Sequence, residues 1–278
     1  MIAMKKLFSL ILALAVLLCA CAAPVETTAP ETTTPETTLP ETTAAPETTA
    51  PEVQRQLYVL MYHSVAPDGT ECNAWTITKS TFRDHMQQIA DRGYTVVAPS
   101  DLVSGQPLPE KAVMITFDDG YTDNFTNAMP ILKEFGYKAV VALITSCMET
   151  SDGAFWMDWE MCRQAAQDGT LELGVHTHAT HKYPGILRHE GETREEYEAR
   201  LFPDLELAIS LIEEHTGTTP LHFAYPQGNV DEWAVDFIND HFPVTVTSYE
   251  GVNDPAEGFH HLKRYNVYEG TDLAQLLP

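Results

Sequence analysis

Two aspartates stand side by side in the segment Ile115-Thr116-Phe117-Asp118-Asp119-Gly120-Tyr121. Adjacent carboxylates repel one another unless a cation or a shared proton relieves them. One can hold a metal while the other serves as a base, although Asp-Gly is also ordinary turn chemistry. Downstream, Gly174-Val175-His176-Thr177-His178-Ala179-Thr180-His181 carries three histidines. Neutral imidazole is the commonest side-chain ligand for divalent metals, so the run reads either as a metal site or as a polar loop. Two histidines and one carboxylate together make a facial triad with open positions. A third segment, Phe223-Ala224-Tyr225-Pro226-Gln227-Gly228-Asn229, places Pro and Gly in a tight turn. Its backbone N–H groups could face a ligand, or the turn could be structural only.

These segments must be positioned by the elements around them. Leu57 to Tyr62 is a short apolar run and reads as a buried strand. Phe82, Met86, Ile89 and Ala90 recur at helical spacing, and Gly93 closes that helix. Further strands are expected at 94–97, 112–116, 138–145, 171–175, 221–225, 244–247 and 262–265. Helices are expected at 124–135, 158–167, 193–215 and 231–240. Strands alternating with helices imply βα units and a parallel sheet. Seven or eight such strands predict an irregular (β/α) barrel, whose chemistry sits at the carboxyl ends of its strands. The Asp pair, the His run and the Pro-Gly turn each follow a predicted strand.

In this order the three segments resemble the polysaccharide deacetylases, carbohydrate esterase family four with the NodB-homology fold. Leu60-Met61-Tyr62-His63-Ser64-Val65, Val113 to Tyr121 with Asn124, and Thr247 to Asn253 with Leu262-Lys263-Arg264 are also similar to that family, so the resemblance covers roughly residues 57 to 270. It implies Asp118 as catalytic base and Asp119, His176 and a second histidine as ligands of Zn²⁺ or another divalent first-row metal. Most of the family spaces the two histidines four apart, but position 180 is Thr. The second ligand is then His181, a spacing similar to the poly-N-acetylglucosamine deacetylase branch, with His178 as its competitor. The family's late strand that delivers a catalytic histidine has no counterpart near Pro278. The apolar strand ending at His63 is expected to supply the general acid instead, unless His63 is a structural histidine. Gln227 stands after the Pro of the turn and would lend its amide to the oxyanion. The Arg that braces the base in the family is missing ahead of the turn, and Arg264 is expected to replace it.

Composition narrows the partners. The 278 residues include 16 Lys and Arg against 40 Asp and Glu, a formal net charge of −24. Phosphate neutralisation needs basic clusters, so no nucleic acid is expected. A hydrophobic content of 44% is enough to fill a core and excludes global disorder. Residues 1–20 read as a signal peptide, with Lys5 and Lys6 before an apolar run from Leu7 to Leu18. Leu18-Cys19-Ala20-Cys21 resembles a lipobox, which would make Cys21 the lipidated membrane anchor of an exported protein; an ordinary cleavage site near Ala23 is the alternative. Residues 21–52 are a Thr/Pro/Glu-rich linker that cannot bury a core. Residues 53–278 form the expected deacetylase domain, acting on an N-acetylated polysaccharide or oligosaccharide of unspecified identity. Two rivals stand beside this reading: a carbohydrate-binding lipoprotein on a decayed site, and a glycoside hydrolase, which needs two carboxylates about 5–10 Å apart. Cys72, Cys147 and Cys162 allow one disulfide or none.

Overall fold

The structure is a computed structural model, and it describes residues 55–278. The expected signal peptide, Cys21 and the whole of the expected linker at 21–52 lie outside the described residues. The main sheet is built from β1 (Gln56–Tyr62), β4 (Thr95–Val97), β5 (Lys111–Phe117), β6 (Ala139–Leu143), β7 (Leu171–Val175), β8 (His222–Ala224), β9 (Val244–Val246) and β10 (Tyr265–Asn266). Seven of these follow one path in the order β10-β1-β5-β6-β7-β8-β9, and every pair is parallel. β4 shares an edge of β5 with β6. It pairs with Ala112 to Met114, whereas β6 takes Thr116 and Phe117. A separate parallel pair, β2 (Ser64–Ala66) with β3 (Thr76–Thr78), leaves the barrel directly after β1.

The apolar runs explain the curvature. On β1, Tyr58, Leu60 and Tyr62 join the large cluster packed by the helices, while Leu57 and Val59 join a smaller one. On β5, Val113, Ile115 and Phe117 alternate in the same way with Ala112 and Met114. This period of two, with both faces buried, is what a parallel sheet covered on both faces demands. The smaller cluster fills the interior, together with Ala142, Ala224, Val244, Val246 and Leu262. Each fully buried aliphatic side chain is worth roughly 1.5–3 kcal/mol, so the two clusters supply the main stabilisation. The sheet therefore curls into the predicted (β/α) barrel, its open side crossed by residues 262–267. There Thr247 N–H donates to Leu262 O at 2.8 Å, and Val267 N–H donates to Met61 O at 3.0 Å.

Three expectations need correction. The last strand is Tyr265–Asn266 rather than 262–265, because Leu262 makes one bridge to Val246 before the chain passes over to β1. The helix expected at 231–240 spans Val235–His241, because the Asp231 carboxylate accepts from Trp233 N and holds a turn there. The helix expected at 124–135 opens as a π-helical turn, Asn124–Ala128, before Met129–Phe135. Cys72, Cys147 and Cys162 are all free thiols.

Candidate metal centre and active-site pocket

The interior file of β5 runs Ala112, Met114, Thr116 and emerges at Asp118. The Asp118 N–H donates to Tyr62 O at 3.0 Å, which continues the pairing with β1 past the strand end. The chain then turns at Asp119, whose φ of 75° is left-handed. Gly120 follows at φ 83°, where a Cβ would lie 2.8 Å from Leu143 Cδ2, so only glycine completes this turn without displacing β6. Thr177 and Gln227 also hold positive φ, at 73° and 56°. Backbone strain at three non-glycine residues thus gathers at three strand ends around one pocket.

β7 delivers His176 by the same alternation, after Glu172 and Gly174. Its Nδ1–H donates to Ala224 O at 2.7 Å on β8, which fixes the ring and leaves Nε2 unprotonated and facing Asp119. His176 Nε2 stands 3.6 Å and His181 Nε2 3.5 Å from Asp119 Oδ1. These separations are too long for hydrogen bonds. They approach the edge of about 3.4 Å in a tetrahedron with metal–ligand bonds of about 2.1 Å. Asp119 Oδ1 is buried with no hydrogen-bond partner among the described residues. One ligand atom from each of the three residues lies within 4.8 Å of the others. An orphaned carboxylate oxygen facing two imidazole lone pairs fits a divalent cation. His178 turns away, its Nδ1 3.0 Å from Thr145 Oγ1 and its Nε2 near Glu149.

Asp118 meets a different neighbour. Arg264, fully buried just before β10, donates from Nη1 to Asp118 Oδ1 at 2.7 Å and from Nη2 to Oδ2 at 2.8 Å. Its Nε–H donates to Thr247 O at 2.7 Å, so the planar fork is held from behind. Burial alone would raise the Asp118 pKa, but Arg264, then His176, hold the carboxyl well below the usual carboxylate range. Burial dominates at Asp119 and raises it, with His176 opposing. Burial also pushes His176 and His181 below the ordinary imidazole value, which keeps both rings neutral and able to bind a cation.

A cavity of about 520 Å³ opens over these groups, lined also by His63, Trp75, Tyr121 and Gln227. His63 lies beside the Trp75 ring, with centroids 4.7 Å apart, and its Nδ1 is buried without a partner among the described residues. Burial lowers its pKa, and the nearby Asp118 charge partly restores it. Gln227 sends its side-chain Nε2–H to His181 O at 2.8 Å, tying the Pro-Gly turn to the ligand loop. Gly228 allows this turn to lie against the segment after β9, because a Cβ there would sit 2.6 Å from Ser248 N. His63, Asp118, Asp119, His176, His181 and Gln227 thus line one pocket and Arg264 contacts it through Asp118, whereas His178, the competing ligand, does not line it. Sequence reasoning missed Tyr121, which lines the pocket beside Asp119, and His222, a wholly buried histidine on β8 with neither ring nitrogen paired among the described residues. Tyr121 was within sight, two residues past the ligand, but its direction was not; His222 carried no signal beyond being polar in an apolar strand.

The polysaccharide deacetylase family model matches residues 105–241. YxkH of Bacillus subtilis (strain 168), assigned by its name to the polysaccharide deacetylases, is 28% identical over 220 residues, 77% of this chain and 72% of that protein. The poly-β-1,6-N-acetyl-D-glucosamine N-deacetylase of Escherichia coli (strain K12) is 25% identical over 210 residues, 64% of this chain but only 31% of that protein. The solved structure of a de-N-acetylase from Aggregatibacter actinomycetemcomitans shares the fold with a TM-score of 0.67. It is 24% identical and matches 80% of this chain and 98% of its own. The family match spans both the Asp pair and the His run, and the barrel that carries them has the fold of that solved structure: over residues 105–241 this chain matches the polysaccharide deacetylase family.

Proposed function

We propose that this protein is a metal-dependent deacetylase that removes N-acetyl groups from an N-acetylhexosamine polysaccharide at the cell surface. The observation that carries the reading is the convergence of Asp119, His176 and His181 beside an Arg264-held Asp118 in one pocket. Those three residues would hold Zn²⁺ or another first-row divalent ion. Bound there, such an ion supplies Lewis acidity to a water and to the acetamide carbonyl, bringing the water's pKa toward about 7. Asp118, kept ionised and aimed by Arg264, takes the water's proton as the C–O bond forms. The Gln227 amide donates to the carbonyl oxygen as it gains charge. His63 protonates the departing nitrogen as the C–N bond breaks, leaving acetate and an amino sugar.

The name of the Escherichia coli relative makes poly-β-1,6-N-acetyl-D-glucosamine the first polymer to test. Acetate release from its oligosaccharides, abolished by a chelator and restored by zinc, is the expected result. Sugar binding without any acetate release, metal present, would favour a carbohydrate-binding protein instead. The Leu18-Cys19-Ala20-Cys21 segment supports export and a lipid on Cys21, holding the domain on the outer face of the bacterial membrane. Incorporation of labelled fatty acid that is lost in Cys21→Ser tests that part on its own.

A further inference from the structure

A second cleft of about 430 Å³ adjoins the active-site pocket and shares Trp75 and Tyr121 with it as walls. Its size lies in the range of small-ligand sites. Two of its lining side chains are large aromatics left in solvent, Trp75 at 52% and Phe155 at 61% exposure. Neither rides on a loose loop. The Trp75 N–H donates to Asn73 Oδ1 at 2.8 Å, and Ser64 N–H donates to Trp75 O at 3.0 Å. Phe155 O accepts from Thr122 N–H at 2.9 Å, Trp156 pairs with Tyr121, and Met157 N–H donates to Gly120 O at 3.0 Å. The strap carrying Phe155 is therefore sewn to the turn that carries Asp119. Asp123 lines the same cleft, accepts from Ser64 Oγ at 2.6 Å and pairs with no cation among the described residues.

Exposed flat rings beside unneutralised polar acceptors suit one ligand chemistry well. A pyranose ring offers apolar C–H faces for stacking and a rim of hydroxyl donors for carboxylate and amide oxygens. Among the described residues no Lys, Arg or His lines the cleft, which disfavours phosphate or any other anion. A polymeric substrate must also leave the pocket past one of its walls, and the wall shared with this cleft is aromatic. Resting on the deacetylase reading, we propose that this cleft is a subsite for a neighbouring sugar ring of the chain being deacetylated, stacked on Phe155 and hydrogen-bonded by Asp123.

The test is acetate release from a β-1,6-linked N-acetylglucosamine pentasaccharide by the full protein and by Phe155→Ala. Loss of ground-state stacking is expected to raise KM about tenfold, equivalent to about 1.4 kcal/mol, with kcat and metal content retained. Phe155→Trp should restore the wild-type KM. An unchanged KM in Phe155→Ala overturns the subsite. Should the wild type release no acetate, the deacetylase reading fails separately, and tryptophan fluorescence titrated with the same pentasaccharide still reads the cleft. Binding weakened about tenfold by Phe155→Ala then supports the subsite; equal binding by both proteins, or none, overturns it.

Discussion

Arg264 and Asp118 are 146 residues apart in sequence and form a bidentate, buried pair beside the active-site pocket. The pair joins the segment that closes the barrel to the strand end that carries the proposed base. Its fork also reaches Thr116 Oγ1 at 3.1 Å and Thr247 O at 2.7 Å. The same contact that orients the carboxylate thus ties β9 and β10 to β5.

Removing the guanidinium should therefore damage both stability and chemistry. Arg264→Met leaves Asp118 buried without its partner, and the expected destabilisation is about 3–5 kcal/mol, read as a lowered Tm. Burial is the largest influence on Asp118 and pushes its pKa up once the opposing charge is gone. A base works only when ionised, so the acid limb of kcat/KM moves to higher pH in this variant. Arg264→Lys keeps a charge but loses the fork, and an intermediate shift is expected. An acid limb at the wild-type position in Arg264→Met would show that Asp118 is not the titrating base.

Metal binding and proton transfer should separate by residue. His181→Ala and Asp119→Ala are expected to lose stoichiometric zinc, measured by elemental analysis after dialysis. His178→Ala should keep it, because that ring pairs with Thr145 and Glu149 instead. Asp118→Asn should keep zinc too while losing about 10²–10⁴ in kcat, the usual worth of general base catalysis. Zinc lost from His178→Ala and kept by His181→Ala would reassign the second ligand.

Much of this site is legible in the sequence, and the reason is local. Asp118, Asp119 and His176 follow apolar runs directly, so a strand end predicts where each stands. The alternation along 112–118 and 172–176 also indicates that Asp118 and His176 share the interior face. What could not be read is everything that depends on closure. Arg264 enters from the sequence through the family resemblance of Leu262-Lys263-Arg264 and the bracing cation missing elsewhere; nothing in its neighbours Lys263 and Tyr265 points its side chain inward. The split edge of β5, shared by β4 and β6, depends on register, which a single sequence does not contain. The β2–β3 excursion that carries Trp75 was hidden because three-residue strands leave no period to detect.

His63 should act on kcat rather than on binding. If it protonates the leaving nitrogen, His63→Ala lowers kcat about 100-fold with little change in KM. Only the protonated ring can serve, and burial holds its pKa below the ordinary imidazole value. Activity should then fall as pH rises through that lowered pKa, and the limb should vanish in the variant. A surviving alkaline limb in His63→Ala assigns the acid to another group.

His222 makes the fold itself sensitive to acid. The ring is wholly buried on β8, and burial, reinforced by Arg264, lowers its pKa to about 3. Released into the unfolded chain it titrates near 6.5. Between these values the unfolded state binds the extra proton, so stability rises with pH there. This contribution is complete above about pH 6.5 and is lost as pH falls toward 3, by roughly 1 kcal/mol per pH unit. Gly174 leaves room for the imidazole, since a Cβ at that position would lie 2.6 Å from His222 Nδ1. His222→Leu removes the titration at some cost in packing, so the informative quantity is the slope rather than the absolute stability. In metal-free protein the fall in unfolding free energy from pH 6.5 to 4.5 should be shallower in the variant by about 2 kcal/mol. Parallel pH profiles for the two proteins would place the acid sensitivity in the other buried histidines.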